Sequence, residues 1–147
     1  MKEEVQKRIS LKNKENEIND ELSSYKDEYI EVSSNGLKIN KYYFPFLNSK
    51  TIPISKIKNI NLFELNLLTG KYKLFGFSLN FYYYHFDSTR QNKTHGILIE
   101  EEDNMIPIGI TPDKSHKCFN VLKYLMTYMK NNKESEPLFI GGKGKTN

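Results

Sequence analysis

The sequence predicts a mainly β domain, a barrel or sandwich of about seven strands capped by one C-terminal helix. Three observations carry that expectation. Short apolar–polar alternations punctuated by turn residues fill the stretch from about residue 29 to 110. Residues 112–130 (PDKSHKCFNVLKYLMTYMK) hold the one strong helical period of the apolar region. The ends are charged and polar, so the domain is expected over residues 29–131, between an arm (1–28) and a tail (132–147).

The arm carries aliphatic side chains only at Val5, Ile9, Leu11, Ile18 and Leu22. So few cannot bury enough surface to offset ordering entropy, which predicts disorder or a marginal helix. The tail (NKESEPLFIGGKGKTN) is polar and glycine-rich apart from Leu138, Phe139 and Ile140, and is expected to be flexible.

Within the domain, Tyr29–Val32 alternates and runs into Ser33-Ser34-Asn35-Gly36. Asn-Gly between alternating runs is a strong hairpin signal. Leu37–Phe44 resumes the alternation until Pro45, which cannot donate to a ladder. Further strands are expected at Lys50–Ile54 and around Ile57–Phe63, then at Tyr72–Phe77 with a bulge at Gly76, and at the aromatic run Phe81–Phe86. After the polar loop Asp87–Thr94 come Ile97–Ile99, an acidic turn at Glu100–Asn104, and Met105–Ile110, whose Pro107 suggests an edge.

The closing helix reads with Thr111 as N-cap, Pro112 in the first position and Asp113 complementing the dipole. Cys118, Leu122, Leu125 and Met129 recur on one face, flanked by Phe119, Val121 and Met126. Asn120, Lys123, Thr127 and Lys130 lie opposite. The pattern is too short for a coiled coil and suits the covering of a β-core.

Composition narrows the functional classes. The chain has 147 residues, 37% hydrophobic, with a formal net charge of +4 and a single cysteine. One core of ordinary size fits that length. A lone Cys118 precludes an intrachain disulfide, and neither a signal-peptide core nor an apolar run near 18 residues is visible. A cytoplasmic protein, peripheral to a membrane at most, is therefore expected.

Catalytic and cofactor signals are weak. Gly141–Thr146 resembles a phosphate-binding loop, but Phe139 stands where that motif needs glycine and no helix can follow. His85, His95, His116 and Cys118 are too few and scattered for a zinc site. His116 and Cys118 fall on different helix faces, and His85 with Asp87 would share a strand face as an acid–base pair. Neither enzyme activity nor a cofactor, metal or small-molecule substrate is expected.

The runs GLKINKYYFPF, KTIPISKIKNI, LTGKYKLFG, HFDSTRQNKTHGILIE and ITPDKSHKCFNVL resemble a small family of pleckstrin-homology (PH)-like proteins, mostly bacterial and of unknown function. The similarity covers about Tyr29 to Leu125, with FPF, TIP, TG, DSTR and TPD as its motifs. It implies a PH-like barrel and brings no catalytic residues.

Between Lys38 and Lys93 stand nine basic residues against only Glu64 and Asp87, and Glu100–Asp103 then places four acids in one turn. This charge pattern is either a solvated surface or a polarised domain with a basic side. On the second reading Lys38, Lys41, Lys56, Lys58, Lys71, Lys73, Arg90 and Lys93 are the contact candidates, with the DSTRQNK loop foremost. The first hairpin loop lacks the basic residues of phosphoinositide-binding PH domains, so membrane contact is expected to be weak and electrostatic. The expected function is a non-catalytic interaction module for a protein partner or an anionic membrane surface. The alternative is an RNA- or single-stranded-DNA-binding domain that uses the basic residues together with whichever alternating set of the Phe81–Phe86 aromatics is exposed.

Overall fold

The computed structural model describes residues 1–43, 45–78 and 81–135. Two helices flank two sheets: α1 (Lys2–Ser23), then β1 (Tyr25–Lys26), β2 (Ile30–Ser33), β3 (Gly36–Tyr43), β4 (Asn48–Ile52), β5 (Ile57–Glu64), β6 (Gly76–Phe77), β7 (Tyr83–Tyr84), β8 (His95–Glu101), β9 (Ile108–Ile110) and finally α2 (Ser115–Ser135). The first sheet is the antiparallel meander β1-β2-β3-β4. The second has the order β5-β8-β9-β7-β6, antiparallel except for β7 beside β9. The fold is thus mixed α/β, two sheets with two helices, which the expected mainly β domain with a C-terminal helix fits only roughly, and the sheets share no strand and do not close into a barrel.

Strand alternation builds the core. Ile30, Val32, Leu37, Ile39 and Ile52 of the first sheet meet Ile57, Ile60, Ile97, Ile99, Ile108 and Ile110 of the second in one buried cluster. Cys118, Val121, Leu122 and Leu125 of α2 complete it, and α2 touches strands of both sheets. At about 1.5–3 kcal/mol per buried aliphatic side chain, this helix face is a large fraction of a marginal stability.

Several elements differ from expectation. The first hairpin turns on Ser34 and Asn35, one residue early, because Gly36 pairs with Ser33. Gly36 has φ +136°, and a Cβ there would stand 2.6 Å from the Ile52 carbonyl oxygen. Most of 72–77 and 81–86 is irregular, leaving two-residue strands. β9 is central rather than an edge, since Pro107 precedes it and contributes only its carbonyl, to the Tyr83 N–H at 3.0 Å.

The arm holds α1, which buries none of its residues. The β structure starts at Tyr25, ahead of the expected boundary at 29. Asp27 joins β1 to β2, its Oδ1 accepting the N–H groups of Tyr29 and Ile30 at 2.9 and 2.8 Å.

The helix start is also displaced. Thr111 caps nothing, and α2 opens at Ser115 with the Cys118 N–H bonded to the Lys114 carbonyl at 3.0 Å. The N–H groups just ahead of the helix are taken up from the first sheet. Asp27 Oδ2 accepts that of Asp113 at 2.8 Å, and Tyr25 Oη accepts that of Lys114 at 3.0 Å. The phosphate-loop-like run 141–146 lies outside the described residues.

Candidate functional site

The densest group of reactive side chains is His85, Asp87, Arg90, Lys93 and Thr111. The loop 85–93, tightened by a 3-10 turn at Arg90–Asn92, folds against the end of β9. Asp87 is its hub. Oδ1 accepts the Thr89 N–H and hydroxyl, each at 2.8 Å, while Oδ2 accepts the Thr111 hydroxyl at 2.6 Å and Lys93 Nζ at 2.7 Å. Lys93 Nζ also donates to the Thr111 carbonyl and lies 3.3 Å from Asp113. The Thr111 hydroxyl is committed here and not to the helix.

Arg90 spreads its donors over backbone. Its guanidinium reaches the Lys73 carbonyl at 2.6 Å and the His85 carbonyl at 2.7 Å, with Nε on Thr111 Oγ1 at 3.2 Å. The Tyr84 ring packs against it, 4.5 Å from Cζ. His85 Nδ1 lies 2.9 Å from the Phe86 carbonyl, and Nε2 faces the Thr111 N–H at 3.2 Å. A carbonyl can only accept and an amide can only donate. The imidazole therefore carries its proton on Nδ1 and is neutral.

The electrostatics agree with these contacts. Burial, helped by the nearby Arg90 charge, pushes His85 down to about 3. Burial would raise Asp87, but hydrogen bonds from Lys93, Thr111 and Thr89 outweigh it and hold the carboxyl at about 2. Burial lowers Arg90 to about 10, which leaves it cationic at neutral pH. Every buried polar side-chain atom among the described residues has a partner. His85, Asp87, Arg90 and Thr111 are all at most 1% exposed. The cluster is sealed and presents no free base or nucleophile to solvent.

This overturns two of the contact assignments. Arg90 is a core residue, and Lys93 keeps only 10% of its side chain exposed while bonded to Asp87. A long cation can be internal when carbonyls and a carboxylate replace its water, and sequence position alone does not reveal those partners. The DSTRQNK loop is therefore anchored inward through Asp87, Arg90 and Lys93, while Ser88, Thr89, Gln91 and Asn92 are exposed.

The other six are spread over β3, the turn before β5, β5 itself and the turn region before β6. Lys38 is exposed on β3. Lys41, at φ +53° where β3 bulges, lies 3.8 Å from Glu28 and 5.5 Å from the centre of the Tyr29 ring. Lys56 lies 3.6 Å from Asp103, Lys58 is exposed on β5, and Lys71 and Lys73 lie in the turn region before β6. The acidic turn folds back beside basic residues, with Lys50 3.4 Å from Glu101, so charge is not segregated to opposite sides there.

The aromatic run does not form a two-faced strand. Tyr84 and His85, adjacent in sequence, are both buried. Tyr82 packs on Phe63, Tyr83 on Tyr42 and Phe77, and Phe86 on Tyr29, while Phe81 is 78% exposed at φ +63°. Large exposed apolar side chains concentrate instead at Leu67, Leu68, Tyr72, Leu74 and Phe77. On α2, Cys118 is buried while His116 is exposed, 5.1 Å from His95 between ring centres.

Among the described residues no three or more His, Cys, Asp or Glu side chains are placed to share a metal ion, and no helix is long and apolar enough to cross a membrane. No protein-family model, curated protein or solved structure matches the chain.

Proposed function

We propose that this chain is a non-catalytic, PH-like interaction module that binds a protein partner. The observation that carries this reading is the sealed polar cluster. His85, Asp87 and Thr111 are engaged in holding the loop 85–93 to the end of β9, and the exposed surface carries lysines and large apolar side chains alongside His116 and several carboxylates. Such a surface suits contact rather than chemistry.

The PH-like part of the proposal is supported by two antiparallel meanders, β2-β3-β4 and β5-β8-β9, with a helix after the last strand that contacts both sheets. β6 and β7, inserted between β5 and β8 with a parallel pairing to β9, depart from that plan.

Affinity capture from the native cell at moderate salt, with quantitative mass spectrometry, tests the reading. A protein retained in stoichiometric amount supports it. Retention of RNA or single-stranded DNA that falls steeply with salt would replace it with a nucleic-acid function, and retention by anionic vesicles alone would replace it with a membrane role.

A further inference from the structure

We propose that the groove between β5 and α2 receives an extended, acidic peptide segment of a partner protein, added as a strand to the outer edge of β5. The proposal deepens the interaction-module reading and rests on it. β5 ends its sheet, paired with β8 on one side and with no described strand on the other. Such an edge presents a row of backbone donors and acceptors that an incoming extended chain can satisfy.

The groove runs along that edge. Its volume is about 670 Å³, and it is lined by five consecutive β5 residues, 57 to 61, and by no described residue of β8. An irregularity between Ile57 and Asn59 leaves Ile57 and Ile60 both buried, and because the groove also touches the exposed Lys58, Asn59 and Asn61 it lies beside the strand rather than on one face. Five residues span about 16 Å, enough for a short extended segment.

The floor and rim indicate what that segment contains. Ile57 and Ile60 of β5 and Phe119, Met126 and Met129 of α2 make an apolar floor, and methionine adapts to varied apolar partners. Lys58, Lys123, Lys130 and Lys133 stand around it, with Glu102 as the acidic lining residue. All four lysines are exposed, and none is ion-paired with a described residue. Four lysines against one glutamate favour a ligand that alternates acidic with apolar side chains. A bilayer or a phosphate backbone would satisfy the charge and leave the strand edge unused.

The test uses the full chain, isotope-labelled for amide NMR. The probe is a synthetic decapeptide in which glutamate alternates with valine or isoleucine. Amide shifts concentrated in 57–64 and 119–133, with binding that weakens as salt rises, are the expected result. Lys58→Glu combined with Lys123→Glu should weaken binding about tenfold at low salt. Lys71→Glu with Lys73→Glu should leave it unchanged. A probe N-methylated on alternate residues should lose binding, because an added strand uses its own N–H groups.

Equal binding of the same peptide with lysine in place of glutamate overturns the proposal. So do shifts confined to 67–81, the absence of shifts at millimolar peptide, or groove shifts produced by anionic vesicles but not by peptide. If the peptide fails while a protein partner is still captured at moderate salt, the groove is wrong and the interaction module stands. If both fail, both readings fall.

Discussion

The phenol oxygen of Tyr25 accepts the backbone N–H of Lys114 at 3.0 Å and donates its own proton to Asp27, whose carboxylate accepts the N–H of Asp113. A hairpin of the first sheet thus takes the place of a local cap for α2. Tyr25→Phe keeps the ring and removes both hydrogen bonds, so chemical denaturation should show a loss of about 1–2 kcal/mol. A chain beginning at residue 24 should melt close to the full-length protein. One beginning at residue 28 should melt lower, having lost Tyr25 and Asp27.

Asp87→Asn leaves Lys93 and Arg90 without their internal anion and should cost about 3–5 kcal/mol. Pairing it with Lys93→Met should cost less than the sum of the two single changes, which a double-mutant cycle in urea measures. Arg90→Glu should unfold the protein outright. Lys71→Glu with Lys73→Glu should shift stability by no more than about 0.5 kcal/mol. Equal effects of the two charge reversals would contradict an internal role for Arg90.

Acid should destabilise the fold in two stages. His85 titrates near 6.5 when unfolded and at about 3 in place, so below pH 6.5 the unfolded chain holds the extra proton. Stability should then fall by up to about 1.4 kcal/mol per pH unit as the pH drops from 6.5 toward 3. Asp87, held at about 2 from an ordinary 3.8, adds a further loss as the pH falls between those values. A denaturation series from pH 8 to pH 3 should be flat above pH 7, and His85→Gln should reduce the slope between pH 6 and 4.

Leu122→Ala and Leu125→Ala should each cost about 2–5 kcal/mol, because both side chains lie inside the cluster that joins helix and sheets. Tyr128→Ala, on the exposed side of the same helix, should change the melting midpoint little. An unchanged melt for Leu125→Asp would exclude the packing of α2 described here.

The buried face of α2 was legible because a 3.6-residue period survives whatever the helix packs against. The meander before it was legible because period-two alternation and turn residues are local signals. The Phe81–Phe86 stretch was not. Its aromatic residues favour strand, yet Tyr84 and His85 are both internal, one against Arg90 and the other bonded to Thr111. The polar cluster stayed hidden for a similar reason. His85, Asp87, Arg90 and Lys93 were visible as a polar run, but Thr111 is 24 residues beyond Asp87 and reads as a helix cap. Nothing local marks Arg90 as internal, since its partners are carbonyls that every residue possesses. Lys123 and Lys130 read as a solvated helix face and Lys133 as part of a flexible tail, and only the extension of that helix beside the edge of β5 makes them a rim.

The trans-capping of α2 fixes an order of events in synthesis. The N–H groups at its start depend on partners contributed 86 and 89 residues earlier, and its apolar face on strands of both sheets. A chain still attached to the ribosome can form the first hairpin early, but it holds the isoleucines of both sheets uncovered until the last helix emerges. Contacts this distant along the chain slow folding and lengthen the interval in which apolar strands are open to wrong partners. A synthesis pause or truncation before residue 115 would therefore release a sticky, helix-less sheet pair. Supplying α2 as a separate peptide would be the most direct way to complete it.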